Sequence, residues 1–133
     1  MLYKTPLLMV ETERADNFLK YKEESFNLKK FLNFPIVCCP PTDPLDEIDK
    51  NKIIAKVLKA YINEKILFIE FDTDYPFKEN NYINMISRCS RSDDGYIIFD
   101  EPTSIFIDEL DINKSIWNFD EKRIIPLKIL KLE

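Results

Sequence analysis

The sequence predicts an α+β fold: a single domain over residues 1–133, in which two or three helices from the N-terminal half cover one face of a mostly antiparallel sheet. Three observations lead to this prediction. Residues 45–63 carry apolar side chains at helical spacing, residues 66–71 are an apolar run of strand length, and the C-terminal half has further short apolar runs separated by turns. About five strands are expected in that half, antiparallel because their connections are short. The length of 133 residues suits one domain.

The N-terminal third predicts a strand, a helical region and a second strand. The apolar run 7–11 is of strand length, and 16–34 is predicted to form one helix or two short ones. Pro35 ends the helical region, because the residue before a proline is pushed out of the helical conformation. Residues 36–39 (Ile-Val-Cys-Cys) then predict a short buried strand.

The segment Leu45–Asn63 is predicted to be an amphipathic helix that covers the sheet. Asp43 is a suitable N-cap and Pro44 a suitable first helical residue. Apolar residues then form one stripe, while lysines lie mostly off it.

Residues 66–71 (Ile-Leu-Phe-Ile-Glu-Phe) predict the central strand of the sheet, and a hairpin follows it. The two hairpin strands are 82–88 and 96–99, joined by a turn that contains Gly95, the only glycine in the chain. Pro102 is expected to end the second of these strands.

Two more strands are expected at the C-terminus. One is 104–110, and the other is 124–132, whose proline and lysines suit a sheet edge. A homodimer that pairs through this edge strand is one interaction we consider. Trp117 lies between the two strands and is expected to anchor a loop.

Charge is distributed unevenly along the chain. The net charge is −5, but residues 66–121 hold 13 acidic and 4 basic residues, a net of −9. Such a segment repels nucleic acids and anionic membranes and attracts basic proteins. The chain has no apolar run of membrane-spanning length and no secretory leader pattern, and its three cysteines fit a reducing compartment. We therefore expect a cytoplasmic protein.

The absence of histidine removes the usual general base and the commonest zinc ligand. Serine–histidine and cysteine–histidine nucleophiles are excluded, and one glycine in the whole chain excludes a glycine-rich phosphate loop. We expect a protein that is not an enzyme and that has no cofactor.

Asp72 and Asp74 offer the one alternative to that expectation. An apolar strand that ends in Asp-x-Asp resembles the motif of haloacid-dehalogenase-like phosphatases, in which the aspartates bind Mg²⁺ and one attacks phosphorus. Here Tyr75-Pro76 follows, where that family has Gly-Thr or a similar pair. The prediction is therefore two solvated carboxylates, with a magnesium-dependent phosphoryl enzyme as the alternative.

A set of acidic residues at the ends of short strands is the strongest candidate site, because these strand ends are expected to meet at one rim. Aromatic residues such as Phe77, Phe99 and Phe106 interleave with them and are candidate anchors. The predicted partner-binding residues are Asp72, Asp74, Tyr75, Asp93, Asp94, Asp100, Glu101, Asp108, Glu109, Asp111 and Trp117.

These properties favour a non-catalytic inhibitor whose acidic face masks a basic partner. The immunity proteins that neutralise bacterial toxins such as nucleases have this size and charge. A phage anti-defence protein that mimics nucleic-acid charge is an alternative of the same physical kind. The two hypotheses differ in the target, which is a toxin for the immunity protein and a defence system for the phage protein.

Overall fold

Seven β-strands dominate the computed structural model, which describes residues 1–10, 21, 23–43, 47–109 and 129–132. The strands are β1 (Leu2–Met9), β2 (Pro35–Val37), β3 (Ile53–Asn63), β4 (Ile66–Asp72), β5 (Asn81–Arg91), β6 (Ile97–Glu109) and β7 (Leu130–Lys131). Three short 3-10 helices interrupt the connections: Glu23–Ser25, Leu28–Phe31 and Lys50–Lys52.

The predicted α+β class is wrong. The described residues form a mainly β structure, a curled seven-stranded mixed sheet, and no helix among them reaches seven residues. The region 16–34 contributes two of the 3-10 helices, while its residues 16–20 and 22 lie outside the described part of the chain. The sheet is therefore covered by short helical turns and loops, not by two or three helices.

The predicted helix Leu45–Asn63 is also wrong, because most of this segment is strand β3. A register shift between Val57 and Lys59 in the pairing with β4 explains the error. Such a bulge inserts one residue and disturbs strict alternation, so the apolar residues of a strand can imitate helical spacing. The β-branched and aromatic residues of Ile53–Asn63 favour a strand.

The sheet takes strands from both halves of the chain, and not only from the C-terminal half as predicted. Its strand order is β5-β6-β2-β3-β4-β1-β7. All neighbours pair antiparallel except β2 and β6, which are parallel with Ile36 opposite Ile105. The sheet curls until β1 lies near β5. A mixed sheet replaces the expected meander.

The locally defined strands were predicted correctly. The run 66–71 lies within β4, and the predicted hairpin forms as β5 and β6. Of the predicted strand 36–39, only residues 36–37 lie in β2. The middle position in the sheet belongs to β3, not to β4 as predicted. β7 lies at a sheet edge as expected, while residues 124–128 of the predicted terminal strand lie outside the described residues.

Pro102 does not end its strand, contrary to the prediction. β6 continues through it to Glu109. Register shifts flank the pair Ser87–Pro102, between Ile86 and Ser87 and between Arg88 and Cys89. These irregularities accommodate a residue that has no backbone N–H to donate to the ladder.

The core includes one face of β4, in which alternate residues are buried. Leu67, Ile69 and Phe71 of β4 are completely buried, so each contributes about 1.5–3 kcal/mol through removal of its apolar surface from water. The Phe99 ring lies between Phe26 at 4.6 Å and Phe31 at 5.4 Å, stacked on both. This stack fixes the first two 3-10 helices to β6.

A two-residue turn joins β3 to β4. Glu64 and Lys65 both have positive φ angles, 49° and 68°. Positive φ at both positions is the conformation that the right-handed twist of a hairpin favours and that asparagine and glycine adopt most readily. Neither turn residue has that preference.

Candidate functional site

One end of the sheet gathers much of the predicted binding set. β4 and β6 run in the same direction, because β2 is parallel to β6 and two antiparallel steps lead from β2 to β4. Both strands therefore finish at the same end. We call this the acidic end, and it comprises Asp72, Asp74, Tyr75, Glu79, Asp108 and Glu109.

The other predicted residues lie elsewhere. Asp93 and Asp94 are in the turn of the β5–β6 hairpin, at the opposite end of β6 from Asp108. The 13 residues of β6 correspond to roughly 40 Å of extended strand. Asp100 and Glu101 lie between the two ends, and Asp111 and Trp117 lie outside the described residues. The predicted rim is therefore divided.

Two of the acidic residues between the ends are held in ion pairs on the protein itself. Asp100 Oδ1 lies 3.2 Å from Lys30 Nζ, and Glu101 Oε1 lies 3.2 Å from Arg88 Nη1. These pairs are largely exposed, so each contributes little to stability. They neutralise part of the negative charge that was predicted to contact a basic partner.

At the acidic end, Asp72 and Asp74 lie beside the Met1 ammonium group. Met1 N is 2.8 Å from Asp72 Oδ1 and 3.8 Å from Asp74 Oδ1. The hydrogen bond with Asp72 raises the pKa of this ammonium group. The side chain of Asp74 is completely exposed, so its carboxylate is available to a partner.

The loop between β4 and β5 is fixed at its first residue, Thr73. Thr73 Oγ1 donates to the Ile54 carbonyl at 2.9 Å and accepts from the Tyr75 N–H at 3.1 Å. The Thr73 N–H also donates to the Met1 carbonyl at 2.9 Å. A buried threonine hydroxyl therefore sets the position of Tyr75.

The same loop is closed at its other end by Asn81. Asn81 Oδ1 accepts from the Lys78 N–H at 2.6 Å, and the Asn81 N–H donates to the Lys78 carbonyl at 3.0 Å. Lys78 Nζ lies 3.3 Å from Glu109 Oε1. These contacts connect the loop to the end of β6, so its aromatic residues sit on a defined backbone.

An aromatic cleft of about 550 Å³ opens beside this loop. The Phe77 ring lines it, with Tyr3 at 5.2 Å and Tyr75 at 5.4 Å between ring centroids. Asp74 and Glu79 also line the cleft. Its complete lining is Tyr3, Asp74, Tyr75, Pro76, Phe77, Lys78, Glu79, Asn81 and Ile129.

Asp108 belongs to a second, neighbouring cleft of about 270 Å³, which shares Tyr75 and Lys78 with the first. Its Oδ2 accepts a hydrogen bond from the Tyr82 hydroxyl at 3.2 Å, and its Oδ1 accepts from the Glu109 N–H at 2.9 Å. Burial of the phenol, with Asp108 beside it, raises the pKa of Tyr82 to about 12.

A metal site at Asp72 and Asp74 has little support in the geometry. Within the described ranges, no three histidine, cysteine, aspartate or glutamate side chains are grouped to hold a metal ion. Asp72 instead contacts the Met1 ammonium group, and Asp74 lines a cleft whose other carboxylate is that of Glu79. The arrangement can bind a cation or a basic surface.

The predicted aromatic anchors do not all lie at the acidic end. Phe99 and Phe106, which had been considered as anchors, are buried in the core at 2% and 4% exposure. Tyr3 and Glu79 were missed as site residues. Glu79 follows Tyr75-Pro76-Phe77 closely in the same loop and was detectable, whereas the position of Tyr3 depends on the pairing of β1 with β4.

No family model matches the sequence, and no curated protein or solved structure shows significant similarity to it. In the part of the chain that the structure describes, no helix is long and apolar enough to cross a bilayer.

Proposed function

We propose that this chain is a non-catalytic binding protein whose acidic end masks a basic partner, in the manner of the immunity proteins that neutralise bacterial toxins such as nucleases. The observation that carries the proposal is the meeting of acidic strand ends and half-buried aromatic rings at one end of the sheet. Asp74 and Asp108 flank Tyr75 there, across two adjoining clefts.

Charge and aromatic contacts contribute differently to such a complex. Carboxylates at the rim accelerate encounter with a basic protein, while aromatic anchors in desolvated pockets lengthen the life of the complex. The acidic end offers both. Asp100 and Glu101 already form ion pairs within the protein, so they attract a basic partner less strongly.

The proposal places the protein in the cytoplasm, where an immunity protein meets a toxin on entry. The three cysteines in the sequence are free thiols in the structure. A reducing compartment keeps them so. A homodimer through the edge strand β7 remains a separate proposal, which size-exclusion chromatography with light scattering tests.

The test begins with rescue from toxicity. Co-expression with a panel of basic bacterial nuclease toxin domains should restore growth for one of them, and biolayer interferometry then measures its association with the purified chain. Raising NaCl from about 0.15 to about 1 M, which shortens the Debye length from about 8 to about 3 Å, should slow association at least tenfold.

Charge-neutral variants locate the surface. The triple variant Asp74→Asn/Glu79→Gln/Asp108→Asn should lower the association rate about tenfold. The matched control removes three charges at the opposite end, as Glu64→Gln/Asp93→Asn/Asp94→Asn, and should change the rate less than twofold. Failure to rescue from any toxin, or equal effects of the two variants, would overturn the proposal.

A further inference from the structure

The aromatic cleft beside the β4–β5 loop has the composition of a receptor for an organic cation. Three rings line it, those of Tyr3, Tyr75 and Phe77, and two carboxylates accompany them, those of Asp74 and Glu79. Aromatic faces attract cations through the ring quadrupole, and a carboxylate adds a direct charge contact. An apolar ligand would leave the carboxylates without a role, and an anionic ligand would be repelled.

We infer that this cleft binds an arginine side chain presented by a protein partner. The guanidinium group is planar and stacks on aromatic rings, and its fork of N–H donors matches a carboxylate. A lysine ammonium group is more strongly hydrated and cannot stack in this way. A volume of about 550 Å³ falls within the range of protein sites that enclose small ligands.

The rings are held in place by packing behind them. Phe77 lies 6.2 Å from Phe71, a completely buried residue of β4, and Tyr3 stacks on the same ring at 5.8 Å. Thr73 fixes the backbone at Tyr75. A cleft organised before binding loses less conformational entropy when an arginine enters.

Two cationic groups near the cleft are already paired. Lys78 Nζ is 3.3 Å from Glu109 Oε1, and the Met1 ammonium group is closer to Asp72 than to Asp74. Asp74, completely exposed, and Glu79 therefore supply the negative charge that an entering guanidinium would meet.

This inference rests on the proposed function for the identity of the partner and names the contact that anchors that partner. Its test does not need the partner. The probe is Nα-acetyl-arginine N-methylamide, titrated into the full chain and followed by two-dimensional NMR. The control ligand is the citrulline analogue, which has nearly the same shape and no charge. The arginine probe should bind with a dissociation constant of about millimolar strength and shift resonances of Tyr3, Tyr75 and Phe77.

Single substitutions test whether the arginine probe binds in the cleft or is attracted by the acidic charge of the whole protein. Asp74→Asn and Tyr75→Leu should each weaken binding of the arginine probe at least about fivefold, whereas Asp93→Asn and Tyr96→Leu, at the opposite end of the sheet, should leave it unchanged. Asp74→Asn alters a fully exposed side chain, so it remains informative if Tyr75→Leu fails to fold.

Equal binding of the citrulline analogue, shifts confined to other parts of the sheet, or no shifts at all would overturn the inference. Such a result would leave growth rescue by the acidic end intact. Conversely, failure of every toxin to be rescued would remove the proposed function and leave a measured arginine site.

Discussion

The hydroxyl of Tyr82 on β5 donates a hydrogen bond to Oδ2 of Asp108 on β6 at 3.2 Å, and the two residues are directly opposite each other in the ladder. Tyr82 is itself buried at 8% exposure. The contact therefore joins the core of the β5–β6 hairpin to the acidic end. It also gives the fold a pH dependence that can be measured.

Tyr82→Phe should reduce the loss of stability at alkaline pH. The pKa of Tyr82 rises from 10.0 to about 12 on folding, so its contribution is complete below pH 10 and is lost as the pH rises through 12. The free energy of unfolding should fall by about 2 kcal/mol more in the parent than in the variant between about pH 10 and about pH 12. Urea unfolding at a series of pH values measures this, and parallel profiles would contradict it.

Phe99→Ala should strongly destabilise the protein. The ring stacks on Phe26 and Phe31, and its removal leaves a cavity between β6 and the 3-10 helices. We expect a loss of about 3–5 kcal/mol in the free energy of unfolding. Chemical denaturation measures it, with Leu58→Ala as the exposed control, for which a change under about 1 kcal/mol is expected.

Lys65→Gly should stabilise the β3–β4 turn. Lys65 has a φ of 68°, a conformation that costs a non-glycine residue about 1–2 kcal/mol. Part of this gain is offset by the greater freedom of glycine in the unfolded chain, so we expect a net gain of about 0.5–1 kcal/mol.

The opposite change at the other hairpin is the control for that prediction. Gly95→Ala should destabilise by about 1 kcal/mol, because Gly95 has a φ of 85° although an added Cβ would meet no neighbouring atom. A loss of thermal stability in Lys65→Gly, or a gain in Gly95→Ala, would contradict the account of these turns.

Thr73→Val should loosen the loop that carries Tyr75. The variant keeps the shape of the side chain but leaves the Ile54 carbonyl and the Tyr75 N–H without the hydroxyl. We expect a destabilisation of about 1–3 kcal/mol and faster hydrogen exchange at the Tyr75 amide. Thr103→Val is the matched control, since its hydroxyl also donates to one carbonyl, that of Ile86 at 3.0 Å. Unchanged exchange at Tyr75 would contradict the role of Thr73.

The elements that could be predicted from the sequence depend on contacts between near neighbours in the chain. The β5–β6 hairpin has both strands and their turn in one continuous segment of the chain. β4 coincides with a single apolar run. β3 could not be recognised in the same way, because the bulge between Val57 and Lys59 hides its alternation. The parallel pairing of β2 with β6 has no local signal at all.

The candidate site was partly predictable for the same reason. Asp72, Asp74 and Tyr75 follow one strand directly, so the sequence alone places them together. The assignment of Asp93 and Asp108 to one rim failed because Pro102 was expected to divide β6. An unbroken strand instead carries these two residues to opposite ends of the sheet.

The position of β2 has a consequence for the order in which the chain folds. Among the described strands, β2 with its three residues supplies the only strand pairing between β5–β6 and the ladder of β3, β4, β1 and β7. Ile36 and its partner Ile105 are separated by 69 positions in the chain. Closing a loop of that length costs more entropy than closing the short turns of the β3–β4 and β5–β6 hairpins. We expect the hairpins to form first and the union of the two ladders at β2 to limit the folding rate.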